Sequence, residues 1–351
     1  MKTVISGIQQ MGVGVARLHE AFAWYRKVFG VDIPILDDEG TAELMLPYTG
    51  GKPQKRHAIL AISIRGGGGL EIWNYTQRTP QAPDFAPQLG DLGICITKVK
   101  TENAQESFAE MQRLDVELLG DISITPAGAK HFFIKDPYGN PFEIIEEKEG
   151  WFGKSTRLTG GVCGAMIGTA DMEKSIAFYR DVLGFDRVAF DQTAEFADLT
   201  AVSGGKKFRR VLLTHSEVRK GPFSELLGRG YIELFQAQDY APRRIFEGRQ
   251  WGDLGFIHLC FDVKNMNGVK EICAQNGCQF TVDTGDTFDM GAAAGRFAYT
   301  EDPNGTLIEF VETYKIPILK KLRLFLNLRK RNAEKPLPRY ILRALKFMRV
   351  K

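Results

Sequence analysis

The 351 residues are 44% hydrophobic and 25% charged, an ordinary globular composition long enough for about two domains. No uncharged apolar run approaches the ~20 residues that a membrane-spanning helix needs. The net charge of +3 conceals an asymmetry: residues 315–351 carry 13 Lys or Arg against Glu334 alone, so the tail is +12 and residues 1–314 are −9. Five cysteines, an odd number without a CxxC pair, speak against a disulfide framework or a zinc knuckle. With no apolar leader after Met1, they predict reduced thiols and a cytoplasmic protein.

The chain opens with a predicted strand, Val4–Val15. A helix follows in which Leu18, Phe22, Tyr25 and Phe29 share one face, and Gly30 suits the position just past its end. Short strands are expected around 42–47, 58–65 and 70–75. The glycine run 66–69 is a turn and not a phosphate loop, because no helix with Lys-Ser/Thr follows it. After a Pro-rich linker, 77–87, a second unit starts with strand 93–99. Its helix, 102–114, presents Ala104, Phe108 and Met111, and strands near 117–124, 131–135 and 142–146 complete it.

The pattern then restarts. Strand 162–169 leads to Asp171, a natural N-cap, and to a helix with Ile176, Tyr179 and Leu183 on one face before Gly184. Strands near 196–202, 210–214 and 231–236 close the third unit. A linker, 240–250, leads to the fourth, with strand 255–263, a helix capped by Asn265 and ended by Gly277, and the hairpin around Asp302-Pro303-Asn304-Gly305. Pro303 and Gly305 set the two turn dihedrals. Beyond the turn, Glu309 stands in an apolar strand, where burial is costly unless a cation or a proton meets it.

Three ordered matches relate the halves. Ala23-Trp24-Tyr25-Arg26-Lys27-Val28-Phe29-Gly30 corresponds to Ala177-Phe178-Tyr179-Arg180-Asp181-Val182-Leu183-Gly184. Gly90-Asp91-Leu92-Gly93 corresponds to Gly252-Asp253-Leu254-Gly255. The turn Asp136-Pro137-Tyr138-Gly139, with Glu143 seven positions on, corresponds to Asp302-Pro303-Asn304-Gly305 with Glu309. Such order indicates duplication.

With these motifs and the stretch Asp171–Phe185, residues 4–314 resemble the vicinal oxygen chelate superfamily, which includes glyoxalase I, methylmalonyl-CoA epimerase, extradiol and hydroxyphenylpyruvate dioxygenases and the bleomycin and fosfomycin resistance proteins. The resemblance implies an α+β fold: four βαβββ units forming two tandem half-open β-barrels, here divided as 1–150 and 151–315, with a basic amphipathic helical tail at 316–351. It also implies a divalent metal on the inner face of a barrel, held by residues from the first and last strand of each unit. In the second half those positions are Gly164, Glu233, His258 and Glu309. Gly164 cannot ligate, so Glu233, His258 and Glu309 form the expected metal set. In the first half they are Gln10, Glu71, Ile94 and Glu143, an oxygen-only set with Ile94 in the fourth place, expected to be a degenerate site or a structural partner.

One imidazole and two carboxylates suit Zn, Ni, Co, Mn or Fe as the divalent ion. The expected reaction is therefore that of a metal-dependent glyoxalase or epimerase: proton transfer next to the carbonyl of a small substrate, with Glu309 and Glu233 as the catalytic carboxylates. The alternatives are an Fe(II) dioxygenase of the extradiol or hydroxyphenylpyruvate type, which asks for a second histidine where Gly164 stands, and a non-catalytic resistance-type binding protein whose cavity is lined by Trp73, Tyr75, Phe235 and Tyr240. His19, His57, His131 and His215 occupy no family ligand position and read as core or surface residues.

In the tail, 316–331 and 338–351 read as two short helices. Ile318, Leu319, Leu322, Phe325 and Leu326 form the apolar face of the first, and Ile341, Leu345 and Met348 that of the second. A basic amphipathic helix is compatible with a peripheral position at the inner face of a membrane, with self-association, or with packing on the acidic body. Nucleic acid is not expected, because no aromatic stacking platform accompanies the charge.

Overall fold

The two Asp-Pro-x-Gly turns are the pins of the architecture. In the computed structural model, which describes residues 2–285, 294–319 and 324–350, Asp302 accepts the backbone N–H groups of Asn304 and Thr306, each at 2.8 Å, and the Tyr179 hydroxyl at 3.1 Å. Asp136 likewise accepts from the N–H groups of Tyr138 (2.9 Å) and Asn140 (2.8 Å), and from the Tyr25 hydroxyl. Gly139 and Gly305 take φ values of 88° and 85°, which only glycine adopts without strain. The helix tyrosine and the turn aspartate recur together because each tyrosine ties its helix to the turn of the neighbouring unit.

Each unit is a strand, a helix and further strands, as the sequence predicts. The first holds β1 (Val4–Gly14), α1 (Leu18–Phe29), β2 (Ile33–Ala42), β3 (Gln54–Ile62) and β4 (Gly69–Tyr75). The second holds β5 (Gly93–Thr101), α2 (Ala104–Arg113), β6 (Glu117–Ile124), β7 (Lys130–Lys135) and β8 (Pro141–Glu146). In the third are β9 (Thr159–Gly168), α3 (Met172–Asp181), β10 (Arg187–Glu195), β11 (Lys207–Thr214) and β12 (Tyr231–Ala237). The fourth contains β13 (Gly255–Lys264), the helix Met266–Gln275, β14 (Val282–Asp283), β15 (Ala294–Glu301) and β16 (Leu307–Leu319). The predicted caps are in place. The Asp171 side chain accepts from the Lys174 N–H, that of Asn265 from the Gly268 N–H, and Gly30 closes α1 in the left-handed conformation.

The sheets do not follow the division at residue 150. One sheet runs β14-β15-β16-β13-β1-β4-β3-β2 and so unites the first and fourth units. The other runs β10-β11-β12-β9-β5-β8-β7-β6 and unites the second and third. The seams are antiparallel pairs, β1 with β13 and β5 with β9. Each half-open barrel is therefore assembled across the halves 1–150 and 151–315, while the tyrosine–aspartate pins join units within a half. A sequence repeat reports duplication, but it does not say which copies pair.

Period-2 alternation separates core from cavity. Met11, Val13, Leu70, Ile72, Leu259, Phe261, Ile308 and Phe310 enter one large core shared by both sheets and the helices, with Tyr25, Phe29, Tyr179 and Leu183 completely or almost completely buried. Burying each such side chain contributes about 1.5–3 kcal/mol. The residues between them in sequence, Gln10, Glu71, His258 and Glu309, belong to the opposite, concave face.

The tail differs from expectation. Residues 316–319 continue β16, and β17 (Leu324–Asn327) pairs with it, Ile316 opposite Leu326 and Lys315 opposite Asn327. The expected helix over 316–331 is a β-ribbon; Pro317 within it is incompatible with a helix interior. Leu322 lies outside the described residues. Farther on, Arg339–Arg343 is a helical turn extended by a 3-10 segment, Ala344–Met348. Leu328, Leu337 and Leu342 are buried against Ile33, Ile62, Ile64, Phe152 and Leu226, with Leu345 and Met348 at the margin. Arg349 pairs with Asp32 at 3.1 Å and Arg339 with Glu225 at 3.1 Å. The tail thus straps the acidic body. No helix among the described residues is long and apolar enough to cross a membrane.

Candidate metal centre

His258 is fully buried at the centre of the first sheet, on the seam strand β13. Its neighbour across the seam is Gly12, where a β-carbon would come within 2.3 Å of the imidazole. Glycine is therefore required there to leave room for the ring. The parallel strands on either side bring in the carboxylates. Glu71 comes from β4 and Glu309 from β16, with Oε2 atoms 3.2 and 3.1 Å from His258 Nε2. Gln10 on β1 reaches both, its amide nitrogen 3.2 Å from Glu71 and 3.3 Å from Glu309. One ligand atom from each of Glu71, His258 and Glu309 lies within 4.8 Å of the others.

Several atoms here are left wanting. Both imidazole nitrogens and Gln10 Oε1 are buried without a hydrogen bond of acceptable geometry among the described residues. The carboxylates are at ion-pair distance from the ring, but their directions are not those of hydrogen bonds. Buried polar atoms without partners are rare, and convergent donors of one imidazole, two carboxylates and an amide fit a divalent cation of the Mn, Fe, Co, Ni or Zn group. Burial alone would lower the His258 pKa; Glu309 and then Glu71 outweigh it and raise the value to about 9. The site is an anionic pocket whose residues could hold a cation.

A cavity of about 440 Å³ opens above these residues. Gln10, Glu71 and Glu309 lie on it, and its walls are mainly apolar, among them Leu36, Met45, Leu60, Trp73, Trp251 and Phe297. Trp251 lies 6.3 Å from His258 ring to ring, stacked, and Tyr299 meets the imidazole edge-on at 5.5 Å. The indole N–H of Trp251 has no hydrogen-bond partner among the described residues. Of the four aromatic residues expected at a cavity, Trp73 lines this one. Tyr75 packs behind it with its hydroxyl on the Trp251 carbonyl. Phe235 and Tyr240 belong to the other barrel.

Glu233 is not part of this centre. It lies on β12 in the second sheet, so the grouping Glu233–His258–Glu309 is corrected to Glu71–His258–Glu309 with Gln10 beside it. The reason is the pairing of the first unit with the fourth. Glu143 is also in the second sheet. Ile94 faces the shared core, as Phe256 does in the first sheet; the residue that pairs as His258 does is Ile96, opposite Met166 where His258 is opposite Gly12.

Around Glu143 and Glu233 the second sheet holds a dense charged cluster. The Lys98 ammonium contacts Glu143 and lies 2.6 Å from Glu233. Arg210 binds Glu233 and, at 2.8 Å, Asp198. His131 bonds Glu143 at 2.6 Å and approaches Asp198 at 3.4 Å. Burial would raise the Glu233 pKa, but Arg210 and Lys98 hold it down to about 2. Lys98, Arg210 and the role of His131 escaped the sequence reading. The available signal was a lysine inside the apolar strand Ile96-Thr97-Lys98-Val99.

Asp262, farther along β13, is buried with Oδ2 unpartnered among the described residues. Burial, reinforced by Glu312, raises its pKa to about 7 despite Ser6 and Lys264. A raised carboxyl pKa means that stability declines as pH climbs from ordinary carboxylate values through about 7 and stays reduced above it. Asp262→Asn is expected to remove that slope and to exceed the wild type by about 1–3 kcal/mol at pH 8, as measured by urea unfolding at pH 5 and pH 8. An unchanged slope would show that Asp262 is not its source.

The sequence profile described as Glyoxalase/Bleomycin resistance protein/Dioxygenase superfamily matches residues 7–144 and 164–310. No curated protein matches the chain at a significant level. Among solved structures, glyoxalase I from Zea mays is similar at 12% identity, covering 89% of this chain and 92% of that one with a TM-score of 0.55. A candidate dioxygenase from Bacillus subtilis subsp. subtilis str. 168 is similar at 14% identity, covering 88% and 86% with a TM-score of 0.57. At these identities the likeness concerns the fold. With four repeated units in two half-open sheets and a profile match across most of its length, the chain belongs to the glyoxalase/bleomycin resistance protein/dioxygenase superfamily.

Proposed function

We propose that the protein is a metal-dependent enzyme of the glyoxalase or epimerase type, moving a proton next to the carbonyl of a small, largely apolar substrate. The observation that carries this reading is the Glu71–His258–Glu309 cluster, with His258 and Glu309 buried and Glu71 partly so, at the floor of an apolar cavity. Glu71, His258 and Glu309 would hold the ion, with Gln10 turning its amide oxygen inward by a half-rotation of the terminal group. A divalent ion bound there supplies Lewis-acid polarisation of a carbonyl.

The chain's own groups do the rest. Glu71 and Glu309 flank one imidazole nitrogen from two different strands. A carboxylate on each side can accept a proton at the carbon next to the carbonyl and return it. Trp73, Trp251 and Phe297 keep water from the floor, which strengthens each electrostatic contact there. A single histidine departs from the 2-His-1-carboxylate set of Fe(II) oxygenases, so ring cleavage or keto-acid oxidation ranks below proton transfer. The apolar walls favour, as a second reading, a protein that only binds a hydrophobic small molecule.

Solvent exchange separates these readings. Small 2-oxo compounds incubated with the protein in D₂O are expected to lose the NMR signal of the proton next to the carbonyl. The loss should stop on chelation and in Glu309→Gln. Exchange that survives chelation would contradict the metal-dependent reading, and tight binding without exchange would favour the binding protein. Oxygen consumption would favour the dioxygenase.

A further inference from the structure

The second barrel repeats the strand pairing of the first but differs in the residues on its concave face: Ile96 stands in the place of His258, opposite Met166 instead of Gly12, and a second facing pair differs as well. In the first sheet Cys260 on β13 stands opposite Gln10 of β1 and Glu309 of β16. In the second sheet Lys98 on β5 stands opposite Gly164 of β9 and Glu143 of β8. Glu71 pairs two residues beyond Gln10, and Glu233 pairs two residues beyond Gly164. Lys98 therefore takes the place of Cys260, Gly164 that of Gln10, and Glu143 and Glu233 those of Glu309 and Glu71.

Gly164 is what lets the lysine in. A β-carbon there would meet Lys98 Cδ at 3.0 Å and the Tyr231 carbonyl oxygen at 2.4 Å. The lysine stem runs through the space that the glutamine side chain fills in the first barrel. Its ammonium ends between Glu143 and Glu233, the two carboxylates equivalent to the acidic pair of the metal centre. Arg210 occupies the remaining acceptor of Glu233, and His131 the second oxygen of Glu143. Each of these five residues is at most 2% exposed, so none can be displaced toward water without repacking. The charge balance agrees. Lys98 and Arg210 answer Glu143 and Glu233, whereas among the described residues Glu71 and Glu309 face no lysine or arginine at ion-pair distance. The donor set of the second barrel does not fit a divalent ion.

We propose that Lys98 is the built-in cation of the second barrel: its ammonium occupies the place of a divalent ion, so the chain holds a single such ion, at Glu71–His258–Glu309, and the second barrel is closed to metals. The count of one rests on the metal centre proposed above; the closure of the second barrel does not.

Equilibrium dialysis of the full chain against Co²⁺ or Mn²⁺, with metal measured by atomic emission, tests it. The wild type should hold about one ion per chain and His258→Ala none. Lys98→Ala should bind an additional ion, retained in the double variant with His258→Ala and lost on adding Glu233→Gln. An ion kept by His258→Ala and removed by Glu233→Gln would overturn the proposal, as would a folded Lys98→Ala that binds no more than the wild type. If Lys98→Ala does not fold, the comparison of wild type with His258→Ala and Glu233→Gln decides alone. A wild type without metal would instead sink the metal-centre reading, and a gain of metal in Lys98→Ala would still uphold the closure of the second barrel.

Discussion

His258→Ala is expected to weaken divalent-metal binding by at least about 100-fold, the scale reported for disruption of a metal site's supporting groups being 10–100-fold and the imidazole being a direct donor. His258 supplies the only imidazole among Gln10, Glu71, His258 and Glu309, and its Nε2 stands between the two carboxylates. Without it an oxygen-only pocket remains, which favours hard ions over Co²⁺, Ni²⁺ or Zn²⁺. The void is bounded by Gly12, which adds no side chain to fill it. Isothermal titration with Co²⁺ and with Mg²⁺ checks both points: cobalt affinity should collapse while magnesium affinity changes far less. An undiminished cobalt affinity would place the ion elsewhere.

Arg210→Met should cost about 3–5 kcal/mol of stability, because it leaves Glu233 and Asp198 buried with part of their compensation gone. Arg210 is completely buried and binds both acids. The pH dependence gives the loss a signature. In the wild type Glu233 is held down to about 2, so its contribution is complete above the ordinary glutamate value and is lost only as pH falls through about 2. In Arg210→Met that carboxyl rises, and mild acid should relieve the penalty by protonating it. Chemical unfolding at pH 7.5 and pH 4.5 should therefore show a smaller deficit at the lower pH. A deficit that is equal at both would mean that lost packing, and not an uncompensated charge, is responsible.

The sequence made the four unit helices, their caps, both Asp-Pro-x-Gly turns and most strands legible because local chemistry decides them; the strands expected near 42–47 and 196–202 are instead short helical turns at 46–48 and 197–203, each following a strand, β2 and β10, that lies earlier in the chain. Gly30, Asp171, Asn265 and Gly305 perform the predicted roles. What it left hidden was pairing at long range. Glu71 and Glu309 are 238 positions apart by their numbers and meet only because β1 pairs with β13. Read within halves, Glu233 is the natural partner of His258; read across the seam, Glu71 is. The tail failed for another reason. Apolar positions at 316, 318, 319, 325 and 326 satisfy a helical spacing as readily as a strand, and the edge of β16 offered the hydrogen bonds that settled it. The burial of Lys98 is not legible because a lysine in a strand is ordinarily solvated, whereas here Gly164 opens a path for it into the barrel.

One ion at one location is the central expectation for this molecule. Crystals grown with Mn²⁺ or Co²⁺ and measured above the metal's absorption edge test it most directly. An anomalous peak is expected among Glu71, His258 and Glu309, and none between Glu143 and Glu233 where the Lys98 ammonium lies. A peak in the second barrel, or none within reach of His258, would contradict it.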